Sequence, residues 1–166
     1  MVLADASELS EPFSWPGSGV TRVPFRLFSD PEIYALEQQR IFRGRVLNYL
    51  CLEIDIPHPG DFKTTFIGET PSVVIRDENG DINALVNRCA HKGALVCLQE
   101  RGNKAKNGMT CVYHSWTYDL RGQLKGIAFR NGIKGKGGMP DDFDPAKHRM
   151  QRINVEIYCG LVFGSF

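Results

Sequence analysis

The sequence predicts an all-β domain, an antiparallel sandwich or barrel preceded by one short helix. Six or more short segments rich in β-branched and aromatic residues follow one another within roughly 120 residues. Turn-forming residues separate these segments, and the Asn79-Gly80 pair between two apolar runs is typical of a β-hairpin. Near residue 30, one segment combines a helix start signal with helical spacing of its apolar residues.

The composition is that of a globular chain with a core of its own. Of its 166 residues, 42% are hydrophobic and 23% are charged, which argues against a disordered chain. Twenty basic and nineteen acidic residues give a net charge of +1, which argues against binding nucleic acid or a membrane surface by bulk charge. No apolar run reaches the roughly 18–20 residues of a membrane span. Because the first ten residues include acidic residues and no basic one, we expect no signal peptide and a cytoplasmic location.

The N-terminal part of the chain is expected to form an arm, residues 1–45. Its first 29 residues are rich in Pro, Gly and Ser and predict an extended segment. Asp30-Pro31-Glu32 then begins a helix, because Asp caps free amides, Pro suits the first helical position and Glu complements the helix dipole. The apolar spacing predicts a helix over about 30–43 that ends at Gly44.

Strand-like runs occupy the β domain, residues 46–166. The predicted strands are Val46–Leu52, Phe62–Ile67, Ser72–Arg76, Ile82–Val86, Met109–Tyr113, Trp116–Leu120, Ile153–Tyr158 and Leu161–Phe166. The polar segment 100–108 and the Gly-rich segment 126–140 are predicted loops, and the last two strands form a hairpin around Cys159-Gly160. The chain ends inside an apolar run, whereas domain boundaries usually lie in polar linkers, so we expect it to be the front part of a longer protein.

Two Cys/His pairs carry the chemistry. Cys89 and His91 are separated by one residue, and Cys111 and His114 by two. Each pair follows a strand and enters a turn, where Gly93 can support tight backbone, so two loop tips could hold one metal site between them. An odd number of Cys, five, without a secretory context also favours metal binding over a disulfide framework.

The segments 87–93 and 111–116 together resemble the Rieske iron–sulfur motif. They are most similar to the N-terminal domain of the large subunit of aromatic ring-hydroxylating oxygenases, and the resemblance covers about residues 30–166. The Tyr-His-x-Trp run and the Asp-Leu-Arg-Gly turn at 119–122 are specific to that family. Ser115 stands where Gly is usual, and the spacing between the two halves is a little longer than usual.

The resemblance implies a Rieske fold with a cluster-binding subdomain over about 86–125. It implies that Cys89 and Cys111 bind one iron of a [2Fe–2S] cluster and that His91 and His114 bind the other. The residues expected to surround these ligands are Lys92, Gly93, Tyr113 and Trp116. Two neutral imidazoles in place of two thiolates raise the reduction potential above that of an all-Cys cluster.

A second branch of the family, in cytochrome bc-type complexes, has a disulfide between the two cluster loops. The matching positions here are Ala94 and Tyr113, so that disulfide is absent. A Ser that donates to a bridging sulfide in that branch is matched by Trp116. Fewer donors imply a potential near the low end of the Rieske range, about −150 mV.

The resemblance also implies partners. We expect one-electron transfer from a ferredoxin or flavin reductase to a mononuclear iron, held by two His and a carboxylate in a catalytic domain of the same or a neighbouring subunit. His58 and His148 are the only His left unassigned and cannot form that site, so we expect the catalytic domain to be absent from this chain. The full-length protein is expected to assemble as a trimer. The segment 126–148 is similar to that of relatives acting on salicylate or anthranilate.

Two alternatives remain open at this stage, a free-standing Rieske-type ferredoxin and a structural zinc domain with two Cys and two His. The other cysteines, Cys51, Cys97 and Cys159, lie in apolar runs and are predicted to be buried. His58 is predicted to be solvated and His148 to end a short capped helix. The basic residues of segment 126–140 (Arg130, Lys134 and Lys136) are predicted to be solvated, with docking of an acidic redox partner as the alternative.

Overall fold

One antiparallel sheet of seven strands forms the body of the protein. The fold is taken from a computed structural model that describes residues 22–134 and 136–166. In spatial order the strands are β1 (Asn48–Leu52), β10 (Leu161–Ser165), β9 (Arg152–Tyr158), β4 (Ile82–Val86), β3 (Thr70–Arg76), β2 (Asp61–Ile67) and β5 (Arg101–Asn103). Strand β1 also contacts β2, so the sheet curls into a half-barrel. The body is therefore not divided into the two separate sheets of a sandwich, because β4 pairs with β9 and makes the sheet continuous.

Side-chain alternation along the strands divides the interior into two cores. Val74 of β3 and Ala84 of β4 face the inside of the curl, where they pack with residues of β1, β9 and β10. Val73 and Ile75 of β3 and Leu85 of β4 face the other side and pack against the segments that carry the two Cys/His pairs. The outer face of the curled sheet is thus the platform for the candidate site.

A small second sheet stands on that platform. It consists of β6 (Met109–Thr110), β7 (Thr117–Tyr118) and β8 (Leu124–Gly126). The strands predicted over Met109–Tyr113 and Trp116–Leu120 are shorter than expected, because residues 111–115 form a turn rather than continue the ladder. The predicted turn at Gly122 is confirmed, with a positive φ of 78°.

The N-terminal helix begins and ends where the sequence predicts. Helix α1 spans Pro31–Glu37 and continues as a wider π-type turn over Gln38–Phe42. The Asp30 side chain accepts a hydrogen bond from the Glu32 amide at 2.8 Å. Gly44 follows the turn so closely that a Cβ there would lie 2.0 Å from a backbone oxygen. Most of the predicted extended arm, residues 1–29, lies outside the described residues. In the described part of the chain, no helix is long and apolar enough to cross a membrane.

Two sequence predictions fail at a loop and at a turn. The polar segment 100–108 contains β5, a three-residue strand that pairs with β2 through backbone groups while its side chains stay exposed. Cys159 is exposed rather than buried, because it occupies the tip of the β9–β10 hairpin. Its φ of 50° and the φ of 77° at Gly160 are those of a tight hairpin turn, which directs side chains to solvent.

Candidate metal centre

The first Cys/His pair lies on a tight loop that leaves β4. The Cys89 amide donates to the Ala94 carbonyl at 2.8 Å, and the Gly93 amide donates to the Cys89 carbonyl at 2.9 Å. Gly93 has a φ of 73°, a conformation that glycine adopts without strain. The loop therefore closes on itself and presents Cys89 inward, where it is buried, and His91 at the partly buried edge.

The second pair lies on a loop of the same construction between β6 and β7. The Cys111 amide donates to the Trp116 carbonyl at 2.8 Å, and the Ser115 amide donates to the Cys111 carbonyl at 3.0 Å. Ser115 is at φ 54°, the position that Gly93 holds in the first loop. A left-handed conformation costs a non-glycine residue roughly 1–2 kcal/mol. Gly would avoid this cost at position 115, as it does at position 93.

The two loops bring the four predicted ligands to one region, with the two histidines close together and the two cysteines in the same buried core. The rings of His91 and His114 lie 4.6 Å apart between centroids, at 73° to each other. Cys89 and Cys111 are both buried in the core that contains Tyr118. Within the described residues, no three His, Cys, Asp or Glu side chains are grouped to hold a single metal ion. The thiols thus lie on the inner side of the region and His114 on its exposed side.

His91 has the chemical state that a metal ligand requires. Its Nδ1 is buried without a hydrogen-bond partner, and no other buried side-chain nitrogen or oxygen in the described part of the chain is left so. Burial first, and the neighbouring charges of His114 and Lys92 second, lower the pKa of His91 below its ordinary value. A neutral imidazole with an unused buried nitrogen suits metal coordination. The residues at this position therefore fit a metal centre.

Tyr118 contacts a candidate ligand directly, and the sequence reasoning did not single it out. Its hydroxyl oxygen lies 3.2 Å from the Cys89 Sγ and accepts a hydrogen bond from the Ala90 amide at 3.0 Å. Burial, followed by the contact with Cys89, raises the pKa of Tyr118 above its ordinary value. The phenol consequently keeps its proton. A Cys89 thiolate has no proton, so it can only accept the hydrogen bond from Tyr118. In the sequence, the alternation of inward and outward side chains along β7 could have indicated that Tyr118 points into the core.

A cluster of aromatic rings packs against one face of the His91 ring. Trp116 is buried and stacks on His91 with centroids 4.8 Å apart and an angle of 11°. Phe143 and His148 each meet the Trp116 ring steeply at 5.8 Å and stack on one another at 4.4 Å. The predicted short capped helix is present over Pro145–His148. The sequence thus predicted the local structure of His148 and missed its contact with Trp116.

Asn87 organises the segment that follows the first loop. It is buried, its side-chain oxygen accepts the amides of Val96 at 3.2 Å and Cys97 at 2.9 Å, and its side-chain nitrogen donates to the Cys97 carbonyl at 2.8 Å. Burial raises the pKa of the Cys97 thiol to about 11, and burial raises that of Cys51 likewise to about 11. Both thiols are inert core groups, as predicted.

The other residues expected around the ligands lie near the surface. Tyr113 is 65% exposed and its ring lies 4.0 Å from that of His114. Lys92 is exposed beside His91. His58 is exposed, as predicted. The exposed edge of the site is thus formed by His114 and Tyr113.

An ion pair between a buried carboxylate and a partly exposed arginine fastens the small sheet to the body. The Arg121 Nε donates to the Asp77 carboxylate at 2.7 Å, and Asp77 is 1% exposed. Burial by itself would raise the pKa of Asp77, but the bonds from Arg121, from the Asn79 and Asp81 amides and from Asn83 outweigh it and lower the pKa. The turn between β3 and β4 is thereby tied to the turn between β7 and β8, which fixes the second loop relative to the first.

The chain matches a family model described as "Rieske [2Fe-2S] domain" over residues 47–135. It is 52% identical over 152 residues to the terephthalate 1,2-dioxygenase terminal oxygenase component subunit alpha 2 of Comamonas sp., covering 92% of this chain and 36% of the relative. It is 49% identical over 162 residues to the anthranilate 1,2-dioxygenase large subunit of Burkholderia cepacia, covering 98% and 37%. The chain therefore spans just over a third of the length of these relatives.

Solved structures show the same likeness. The crystal structure of naphthalene 1,2-dioxygenase from Rhodococcus sp. bound to indole superposes with a TM-score of 0.75 at 34% sequence identity. The match covers 86% of this chain and 31% of that chain.

Proposed function

This chain belongs to the Rieske [2Fe-2S] domain family, and we propose that it is the electron-transfer domain of an aromatic ring-hydroxylating oxygenase α subunit. In this role it accepts single electrons from a ferredoxin or flavin reductase and passes them to a mononuclear non-haem iron. The similarity to dioxygenase large subunits supports the oxygenase context. The observation that carries the proposal is the buried, unpartnered Nδ1 of His91 beside the ring of His114.

We assign the ligands as the two pairs. Cys89 and Cys111 hold one iron through thiolates, and His91 and His114 hold the other through imidazole. When bound, the cluster supplies storage for one electron. The burial of both cysteines keeps water from the thiolates, and the partly buried and exposed histidines leave their side of the site within reach of a partner.

The residues around the ligands hold protons and orientations at stated atoms. The Tyr118 hydroxyl keeps its proton and donates a hydrogen bond to the Cys89 Sγ, which favours the more negative, reduced state. Trp116 covers one face of His91 and fixes its ring, and Asn87 holds the backbone after the first loop. The site is thus organised before any partner arrives, which lowers the cost of changing its charge.

The division of the chain forms part of the proposal. Residues 1–45 are the arm, residues 46–166 the Rieske domain and about 86–125 the cluster-binding subdomain. The mononuclear iron belongs to a catalytic domain outside this chain, in keeping with its 36% share of a relative's length. We also propose a trimer-based assembly and a cytoplasmic location for the full-length protein.

An aromatic carboxylate is the proposed substrate class of the full-length oxygenase. Two relatives are named for terephthalate and anthranilate, both of which are aromatic carboxylates. Within the described residues, no two His and a carboxylate are grouped to hold a mononuclear iron, since His91 and His114 lie on the two loops and the other two His lie apart from each other. The substrate contacts therefore belong to the catalytic domain.

Chemical analysis of the purified chain tests the proposal. We expect two iron and two acid-labile sulfide per chain and reduction by one electron. Supplied with reductase, nicotinamide cofactor, iron(II) and aromatic acids, the chain should be reduced without forming hydroxylated product. Zinc without sulfide would identify a structural zinc domain, and multiple turnovers of product would contradict the domain assignment. A reading frame that ends at Phe166 would favour a free-standing ferredoxin.

A further inference from the structure

Charge is distributed unequally along this nearly neutral chain. Residues 87–150 carry twelve Lys or Arg and five Asp or Glu, whereas the rest of the chain carries eight and fourteen. The segment that contains both Cys/His loops thus has a net charge of +7, and the remainder has −6. A region with a large net charge of one sign beside a redox site attracts a partner of the opposite sign.

The positive charge has an exposed concentration after β8, in the segment 127–140, which we term the basic loop. The loop carries Arg130, Lys134 and Lys136 and no acidic residue. All three side chains are exposed, and none forms an ion pair with any residue in the described part of the chain. By contrast, Arg121 and Lys125 just before the loop are engaged with carboxylates.

Large apolar side chains stand among these cations. Phe129 is 70% exposed and Ile133 is 62% exposed. Protein interfaces commonly combine an apolar or aromatic anchor with a charged rim. The loop has both parts on one short segment.

Hydrogen bonds within the basic loop join its two described parts, residues 127–134 and 136–140. The Met139 amide donates to the Arg130 carbonyl at 2.8 Å, and Ile133 and Lys136 exchange hydrogen bonds at 3.0 and 3.1 Å. Gly138 approaches the opposite side so closely that a Cβ there would lie 2.6 Å from the Gly132 nitrogen. A preorganised loop loses little conformational freedom on binding.

The basic loop is also connected to the metal centre. Its two ends, Ile127 and Met139, pack on the core that contains both candidate cysteines. The chain then continues to Phe143 and His148, which contact the ring of Trp116, and Trp116 stacks on His91. A protein seated on the loop is therefore separated from a ligand by packed aromatic rings.

We propose that the basic loop is the docking surface for an acidic one-electron carrier protein. This inference rests on the proposed function, since it names the partner surface of the same site. The acidic carrier pairs its carboxylates with Arg130, Lys134 and Lys136 and covers Phe129 and Ile133. One electron then leaves the carrier, which is oxidised, and enters the cluster, which is reduced.

Charge reversal on the loop tests the proposal, with a matched reversal elsewhere as control. The probe is a reduced, acidic plant-type [2Fe–2S] ferredoxin, and the proteins carry their clusters. The test variant is Lys134→Glu with Lys136→Glu. The control is Arg22→Glu with Arg45→Glu, which changes the net charge equally at exposed positions in the acidic part of the chain. Stopped-flow mixing gives the second-order rate constant of reduction, and calorimetry gives the Kd.

At low ionic strength the loop variant should be reduced at least about tenfold more slowly and bind at least about tenfold more weakly than the parent, because steering of this kind changes rates by 10–10³. The Arg22/Arg45 variant should stay within about twofold. The difference should shrink at about 0.5 M salt, and both variants should keep the parent reduction potential.

Three results would overturn the docking surface while leaving the electron-transfer function intact. Equal slowing in both variants would attribute the effect to net charge rather than to the loop. Unchanged rates, with an altered oligomeric state of the loop variant, would assign the loop to contacts between subunits. Reduction of the parent by dithionite but not by the ferredoxin would exclude this class of donor. A parent protein that binds no iron or sulfide would instead overturn the proposed function itself.

Discussion

Replacing Tyr118 by Phe should lower the reduction potential of the cluster. The ring is fully buried on β7, so Phe keeps its packing and removes only the hydroxyl. That hydroxyl lies 3.2 Å from the Cys89 Sγ and accepts the Ala90 amide, which leaves its own proton for the sulfur. Reduction adds negative charge to the cluster and strengthens a bond donated to a ligand sulfur. The variant loses that differential stabilisation.

The size of the effect can be worked from the bond. A hydrogen bond to a charged group contributes about 1.5–3 kcal/mol in total, and it is present in both redox states. If reduction strengthens it by about 1 kcal/mol, the potential falls by roughly 40 mV, since a one-electron couple shifts 59 mV for a tenfold change in equilibrium constant. The folding cost should stay near 1 kcal/mol, because Ala90 is exposed and water can replace the lost acceptor.

A redox titration followed by circular dichroism measures the shift. Tyr113→Phe is the matched control, because the Tyr113 ring lies 4.0 Å from that of His114 at an angle of 33°, but its hydroxyl has no hydrogen-bond partner among the described residues. Its potential should stay within about 10 mV of the parent. An unchanged potential in Tyr118→Phe, with the cluster intact, would refute the assignment of Cys89 as a ligand that receives this bond.

Three further predictions address the ligands and the ion pair. Cys111→Ser should abolish the cluster, whereas Cys97→Ser should keep it and cost on the order of 1 kcal/mol, as iron analysis and urea denaturation would show. The potential should fall as pH rises through ionisation of His91 and His114 in the oxidised state, and a potential that stays flat into strongly alkaline pH would contradict imidazole ligation. Asp77→Asn should lower the free energy of unfolding at pH 7 by about 2 kcal/mol. Because the pKa of Asp77 is lowered from 3.8, its contribution is complete above that value and lost as pH falls through the folded pKa, so the deficit should vanish in acid.

Features set by neighbouring residues were predictable from the sequence. The helix start rests on Asp30 and its cap, and the hairpin between β3 and β4 turns at Gly80 with a φ of 90°. The four candidate ligands could be proposed because one or two residues separate the members of each pair, so a local pattern carries the chemistry. Cores on both faces of the sheet follow from alternation along β3 and β4.

Features that depend on contacts between distant segments were not predictable. The bond between Tyr118 and Cys89 joins residues 29 apart in sequence, and Trp116 meets His148 from another loop. Strand β5 carries no apolar alternation, because its side chains are exposed and it pairs with β2 through backbone groups and a hydrogen bond from the Asn103 side chain to Asp61. Cys159 was misjudged because an apolar run indicates burial only where the backbone stays extended, and here it turns.

On the proposed function, an electron would arrive on the side of His91 that Trp116 covers and leave on the side where His114 lies. Trp116 covers one face of the ring and connects it to Phe143, at the end of the segment that follows the basic loop. His114 meets the same ring steeply and is itself exposed, with Tyr113 beside it. A donor on the basic loop and an acceptor at His114 would therefore not compete for one surface. The thiolates, sealed by Tyr118 on the inner side, need no access for either exchange. On the proposed function, this arrangement lets a donor remain bound while the acceptor side stays in place, so reversing loop charges should slow reduction without slowing reoxidation.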